Sequence, residues 1–201
     1  MKTKLSKKRA ISTVLTTVII LVSSVVLGSG VVLFGSSLFQ SGAAQEQLSV
    51  FGVKLWVHDS NPVGLAWGAA TLRNTGDTVL GIDLILIRGT PVPFGQWYVD
   101  EFITDDLFSR ELNHTGWVGG GLIKTSGACG SARIAINNGY GDICAPAYTG
   151  PFALIPGGTA IVYFQLPNGT LSTLDSGLNT SVNIYASKAG SPQSITVQSK
   201  G

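Results

Sequence analysis

The sequence predicts an α+β chain: a long N-terminal hydrophobic α-helix followed by an all-β sandwich, Ig-like or Greek-key. Two observations carry this. From Ile11 to Phe39 there are 29 residues with no charge and no proline. From Gln47 onward, short apolar runs alternate with clusters of Gly, Pro, Asn and Asp, the pattern of short strands joined by turns. The expected organisation is residues 1–10 as a basic leader, 11–45 as the helix and 48–201 as the strand domain.

The leader comes first. Five of the 13 Lys and Arg residues are Lys2, Lys4, Lys7, Lys8 and Arg9, and no charge follows until Glu46. Beyond residue 10 the balance is eight basic against eleven acidic groups, a net charge of −3. The bulk of the chain is therefore mildly acidic and offers no electrostatic case for nucleic-acid binding.

As a helix, Ile11–Phe39 extends ~43 Å, more than the ~30 Å of a bilayer's hydrocarbon core. The basic cluster before it places the C-terminal bulk outside the cell. Three fates compete for the segment. A cleaved secretion signal would use the small residues Ser41-Gly42-Ala43, but this apolar run is about twice the ~7–15 residues usual for such signals. A permanent anchor would hold the strand domain at the membrane. The third fate rests on the junction Lys7-Lys8-Arg9-Ala10-Ile11.

The run "KKRAISTVLTTVIIL" resembles the class III signal peptides and mature starts of archaeal type IV pilins and archaellins. The resemblance implies cleavage by a prepilin peptidase at Arg9-Ala10, with Ile11 as the new N-terminus. It also implies that the helix is kept and packs against copies of itself in a filament core. The residues assigned to that packing are Val14, Val18, Leu21, Val25, Gly28 and Val32. Leu15 occupies the fifth mature position, where bacterial type IV pilins carry Glu; archaeal filament proteins commonly lack that Glu. Ser24 and Gly28 form a small-xxx-small pair, and Gly30 and Gly35 are either further points of close approach or places where the helix bends or ends. The implied partners are the chain itself as a helical homopolymer, the peptidase, an assembly ATPase and a membrane platform protein. The implied location is an extracellular cell-surface filament with a membrane-inserted precursor, serving adhesion or, as in archaellins, motility. The alternative from another class is a non-polymerising anchored sandwich that binds carbohydrate or a surface protein.

In the strand domain, strands are expected near 49–57, 65–73, 78–88, 96–104, 131–136, 159–166, 180–187 and 193–198. "TSVNIYA" alternates cleanly, with Val182, Ile184 and Ala186 on one face. "VLGIDLILIRG" and "TAIVYFQLP" are apolar on both faces and should be covered on both sides. Asn74-Thr75-Gly76-Asp77 and Pro167-Asn168-Gly169 read as turns. "LRNTGDTVLGIDLILI" and "LIPGGTAIVYFQLP" are also similar to β-domain hairpins of archaeal pilins and archaellins. Residues 105–150, with Gly119-Gly120-Gly121, read as an elaborated loop at an outer face. Trp97 and Trp117 flank it; core packing is the expectation and an exposed contact the alternative.

Cys129 and Cys144 are the chain's two cysteines. A disulfide between them would close a loop of ~15 residues and stabilise by roughly 3 kcal/mol. Without a His pair at ligand spacing they do not make a zinc site. Asn113, Asn168 and Asn179 head N-glycosylation sequons.

Other chemistry fails on residue type or spacing. His58-Asp59 is not expected to act as a dyad, since neighbouring strand residues point to opposite faces. No GxSxG elbow exists. In "GGGLIKTS", Ile123 stands where a phosphate loop needs glycine, and in "GYGDIC", Cys144 replaces the third dinucleotide glycine. Asp105-Asp106 and Asp142 lack EF-hand spacing, which leaves a loop calcium as the one metal alternative. No cofactor is implied, and the chain reads as non-enzymatic.

Overall fold

A computed structural model describes residues 4–42, 46–60, 64–101, 108–119, 121–125, 133–137, 142–187 and 189–201. Within the helix, side chains are described for 13–36. The chain divides into two compact units, Met1–Ala44 and Gln45–Gly201. Each is described by itself.

The first unit is one helix, α1 (Lys4–Gly42). It runs unbroken through the Arg9-Ala10-Ile11 junction and through Gly28, Gly30 and Gly35, so those glycines do not end it. β-branched Val, Ile and Thr cost little in a helix whose stability comes from its surroundings rather than from propensity.

The second unit contains strands β1 (Leu48–His58), β2 (Ala66–Asn74), β3 (Leu80–Ile87), β4 (Thr90–Pro91), β5 (Trp97–Asp100), β6 (Trp117–Val118) and β7 (Leu122–Ile123). It continues with β8 (Arg133–Asn137), β9 (Asp142–Tyr148), β10 (Phe152–Leu154), β11 (Thr159–Gln165), β12 (Asn179–Ala186) and β13 (Ala189–Lys200). The hydrogen-bonded order is β10-β3-β12-β13-β1-β2-β11-β5-β9-β8, with β4 on β3 and β6-β7 a separate pair.

This path is sandwich-like because β13 belongs to both layers. Ala189–Thr196 pairs antiparallel with β12, and Val197–Lys200 pairs parallel with Leu55–His58 of β1. The layers share one core. Leu80, Ile82, Ile85, Ile87, Val182 and Ile184 from one side join Leu55, Val57, Leu72, Val162 and Phe164 from the other. The alternation expected for β12 is observed: Val182, Ile184 and Ala186 are buried, while Ser181 is exposed.

Strand β11 is buried on both faces, as its composition requires: Ala160, Ile161, Val162, Tyr163 and Phe164 are all fully enclosed. Strand β3 departs from expectation. Leu84 and Leu86 are only half-buried, and Asp83 is exposed. The reason is a bulge. Leu84 pairs with Tyr185 and Ile82 with Ala186, which leaves Asp83 unmatched. The extra residue shifts the phase, so Ile82 and Ile85, three apart, both reach the core.

Close packing also explains the small residues of β2. Gly68 lies between Leu55 of β1 and Phe164 of β11. A Cβ there would stand 2.2 Å from the Phe164 ring, so the ring occupies the space a side chain would need.

Residues 105–150 correct the loop expectation. They contain β6, β7, β8 and β9, whose Ile123, Ile134, Ile136, Ile143 and Ala145 join Trp56, Trp67, Ile161 and Tyr163 in a second core on the outer face of the β1-β2-β11 layer. Pro146 removes an N–H from β9. The β5–β9 pairing stops after Tyr98↔Ala147, and the Asp100 carboxylate then accepts the backbone N–H of Cys144 at 3.0 Å. Cys129 lies outside the described residues, as do Asp105 and Asp106; among the described residues no cysteine is free.

Asn74 ties two turns together. It is fully buried; its Nδ2 donates to the carbonyls of Thr78 (2.7 Å) and Leu154 (2.8 Å), and its Oδ1 accepts from Gly76 N–H (3.0 Å). Asn74→Ala strands those three backbone groups in the interior, and the expected loss is about 3 kcal/mol. Urea unfolding of the variant beside the wild type measures it.

Candidate assembly helix and surface sites

Along α1, Thr13–Ser36 spans 24 residues, and its most apolar 18-residue window has a mean hydropathy of 2.5 with none of it buried. Val14, Val18, Leu21, Val25 and Val32, assigned to filament-core packing, are exposed to the same degree as Leu15, Ile19, Val26 and Leu33; no face is singled out. Gly28 has nothing within 4 Å of its Cβ position. Four of the helix's hydroxyls are engaged locally. Thr17, Ser24, Ser29 and Ser36 donate their hydroxyls to carbonyls three residues back, those of Val14, Leu21, Val26 and Leu33. Such back-bonding removes the cost of placing a hydroxyl in an apolar medium. By length and composition the helix is long and apolar enough to cross a membrane. Arg9, Ala10 and Ile11 have described backbone but no described side chains.

The three sequon asparagines, Asn113, Asn168 and Asn179, are all exposed. Asn168 stands at the tip of a tight turn in which Thr170 N–H and Oγ1–H both bond Pro167 O, at 3.1 and 2.8 Å. Asn179 opens β12 and accepts from Thr196 Oγ1 at 2.7 Å. Asn113 has its backbone carbonyl held by the Tyr163 hydroxyl at 2.9 Å.

The tryptophans support the packing expectation. Trp97 is fully buried and donates Nε1–H to Val92 O at 3.0 Å. Trp117 is partly buried against the second core and donates to Lys200 O at 2.7 Å. Trp56 and Trp67 donate to Gln198 Oε1 and Gly121 O. Each indole thus links its strand to a segment more than fifty residues away, except Trp97, which closes a local turn.

The side chains of His58 and Asp59 do not point apart as expected. His58 Nδ1 and Asp59 Oδ1 lie 3.3 Å apart. His58 is the last residue of β1, so the alternation that separates neighbours within a strand no longer holds at Asp59. His58 Nδ1 also accepts the N–H of Ser60 at 3.2 Å. Sequence reasoning missed a larger convergence: both histidines of the chain contact the same indole. The Trp117 ring is 5.0 Å from His58 and 4.5 Å from His114. His114 is fully buried and also faces Trp56. Burial, with the nearby Lys200 and His58, lowers its pKa from 6.5 to about 4. Nothing local in the sequence signals this meeting of positions 58, 114 and 117.

Beside this cluster a cleft of about 480 Å³ is lined by Trp56, Glu111, Leu112, Asn113, Gln198, Ser199 and Lys200. Glu111 is engaged with Lys54 at 2.5 Å. The lining supplies amides, a hydroxyl and an ammonium, which suit hydrogen bonding to a polar group. Among the described residues, no three His, Cys, Asp or Glu side chains are placed to hold a metal ion. Asp142, weighed for calcium, instead accepts from Asn137 Nδ2 at 2.9 Å.

Comparison with protein-family models and with curated proteins gives no match.

The glycine run, expected in a surface loop, is partly structural. Gly121 has φ +78°, its carbonyl accepts from Trp67 Nε1 (2.9 Å) and Gln165 Nε2 (3.3 Å), and a Cβ would lie 2.5 Å from Leu65. Gly121→Ala combines backbone strain with overpacking, and the expected loss is about 2 kcal/mol. A thermal melt read by tryptophan fluorescence measures it.

Proposed function

We propose that this chain is a structural subunit of an extracellular archaeal type IV pilus-like filament, polymerising through its N-terminal helix and serving adhesion. The observation that carries the reading is the helix Thr13–Ser36, long and apolar enough to cross a membrane, with large apolar side chains exposed on every side of it. A surface of that kind needs either lipid or other helices around it. In the proposal it has both in turn: lipid while the precursor waits in the membrane, and copies of itself after assembly.

The junction is where the readings of a kept anchor and a processed subunit part. The resemblance at Lys7–Ile11 puts cleavage by a prepilin peptidase between Ala10 and Ile11. That step removes all five leading basic residues and leaves a helix whose new terminus carries no side-chain charge. An assembly ATPase and a membrane platform protein are the partners this route requires. The strand domain then forms the outer layer of the filament and carries no catalysis. A Cys129–Cys144 bridge and N-glycosylation belong to the same extracellular reading, with Asn168, exposed on its turn, the best-presented acceptor. A motility filament of the archaellin kind shares this plan.

A second reading, a membrane-anchored binding protein, draws on the polar cleft beside Trp56. The two differ in covalent structure. The pilin reading expects a mature chain beginning at Ile11, recovered in sheared filaments; an intact leader in the mature protein sinks it in favour of the anchor. Arg9→Glu is expected to leave the precursor uncleaved and to abolish filaments, both visible by intact mass and electron microscopy. Normal processing of that variant counts against the assigned site.

A further inference from the structure

Residues 111–118 cover part of the outer side of the second core: Leu112 is buried in it and Trp117–Val118 pairs with Leu122–Ile123, while the remaining ties of the segment are isolated polar contacts. Tyr163 Oη–H donates to Asn113 O at 2.9 Å, Lys54 pairs with Glu111, and Trp117 Nε1–H donates to Lys200 O at 2.7 Å. Lys124 N–H donates to Gly116 O at 2.8 Å, and Thr115 Oγ1–H donates to Lys124 O. Beneath these ties lies the His114 ring, between Trp56 and Trp117.

The ring's hydrogen bonds fit one protonation state. Gly116 N–H donates to His114 Nδ1 at 3.2 Å, so Nδ1 is an acceptor and the neutral ring carries its proton on Nε2. Nε2 is buried and has no partner among the described residues. A second proton on Nδ1 would set two donors against each other and cancel the Gly116 bond. It would also put a cation where no charge among the described residues offsets it. His58 on β1 and Lys200 on β13 are the charged or titratable groups acting on it, and both oppose a positive ring. Lys54 and Glu111 satisfy one another, Asp59 faces His58, and Tyr163 on β11 is held neutral by burial.

We propose that His114 makes residues 111–118 an acid-operated latch: protonation of the ring drives it out from between Trp56 and Trp117, breaks the Trp117 tie to the C-terminal strand, and uncovers the second core. The released surface is aromatic, comprising Trp56, Tyr163 and Trp117, and opens beside the polar cleft. The proposal does not depend on whether the chain polymerises.

The linkage has a definite sign. The closed state holds His114 neutral and the open state lets it titrate normally. Opening therefore begins to increase as pH falls below the open-state value of about 6.5, and levels off only where the closed state also takes the proton. Carboxylates still ionised at pH ~5 contribute little above that point.

Hydrogen exchange of the full-length protein in detergent, corrected for the intrinsic rate at each pH, tests this. Between about pH 7 and about pH 5, protection of residues 111–118 is expected to fall about tenfold or more, while residues 67–72 and 159–165 keep theirs. His114→Phe is expected to remove the change. In His58→Gln the closed state accepts the proton more easily, so the total gain in opening is expected to be smaller. Unchanged protection of 111–118 at pH ~5, or equal acid opening in His114→Phe, overturns the latch. Should His114→Phe fail to fold, the wild-type His114 ring, followed by proton NMR, must titrate below pH ~5, and titration at the ordinary ~6.5 overturns the proposal.

Discussion

Strand β11 presents Ile161 and Tyr163 to one side and Ala160, Val162 and Phe164 to the other, and all five are fully enclosed. Leaving either side open would expose several large side chains, at roughly 25 cal/mol for each Å² of apolar surface. The need to cover both faces organises the domain. One face is covered by the layer of β3, β12 and the first half of β13. The other is covered by β8, β9 and the 111–123 segment, none of which forms an extensive sheet of its own. Gly68 of β2 follows from the same demand, since it leaves room for the Phe164 ring of β11.

What was legible in the sequence was whatever a single strand or helix dictates by itself. The uncharged run marks α1. The two-faced composition of β11 and the alternation of Val182, Ile184 and Ala186 mark strands whose environments match them. The failures lie where the outcome depends on a distant partner. Strand β9, "DICAPAY", has small residues and a proline and shows little strand preference alone. It forms because β8 and β5 flank it and because Asp100 takes over the N–H of Cys144. The bulge at Asp83 depends on how β12 aligns, which no local pattern in β3 announces. Gly121 was read as part of a loop, yet its carbonyl serves both Trp67 and Gln165. The convergence of His58 and His114 on Trp117 spans almost sixty residues and leaves no periodic trace.

The candidate site divides the same way. The helix and its basic leader were visible as composition, and the inward-turned hydroxyls of Thr17, Ser24, Ser29 and Ser36 refine that picture. They explain how a segment with this many Ser and Thr residues still behaves as a hydrocarbon surface. The cleft beside Trp56 and the buried His114 were not visible, because burial and hydrogen-bond direction exist only once β13, β1, β2 and β11 are assembled into one layer.

The parallel pairing of β13 with β1 has a mechanical consequence. Strand β1 is the first of its domain, and it is held along one edge by β13 and along the other by β2. A pull transmitted through Gln47 runs along β1, across the direction of its rungs. The rungs on both edges then carry the load together in shear; they cannot be peeled off one at a time as in a hairpin opened from its ends. The domain should therefore resist tension at its N-terminal end far better than its short, polar-tied outer segment resists local opening.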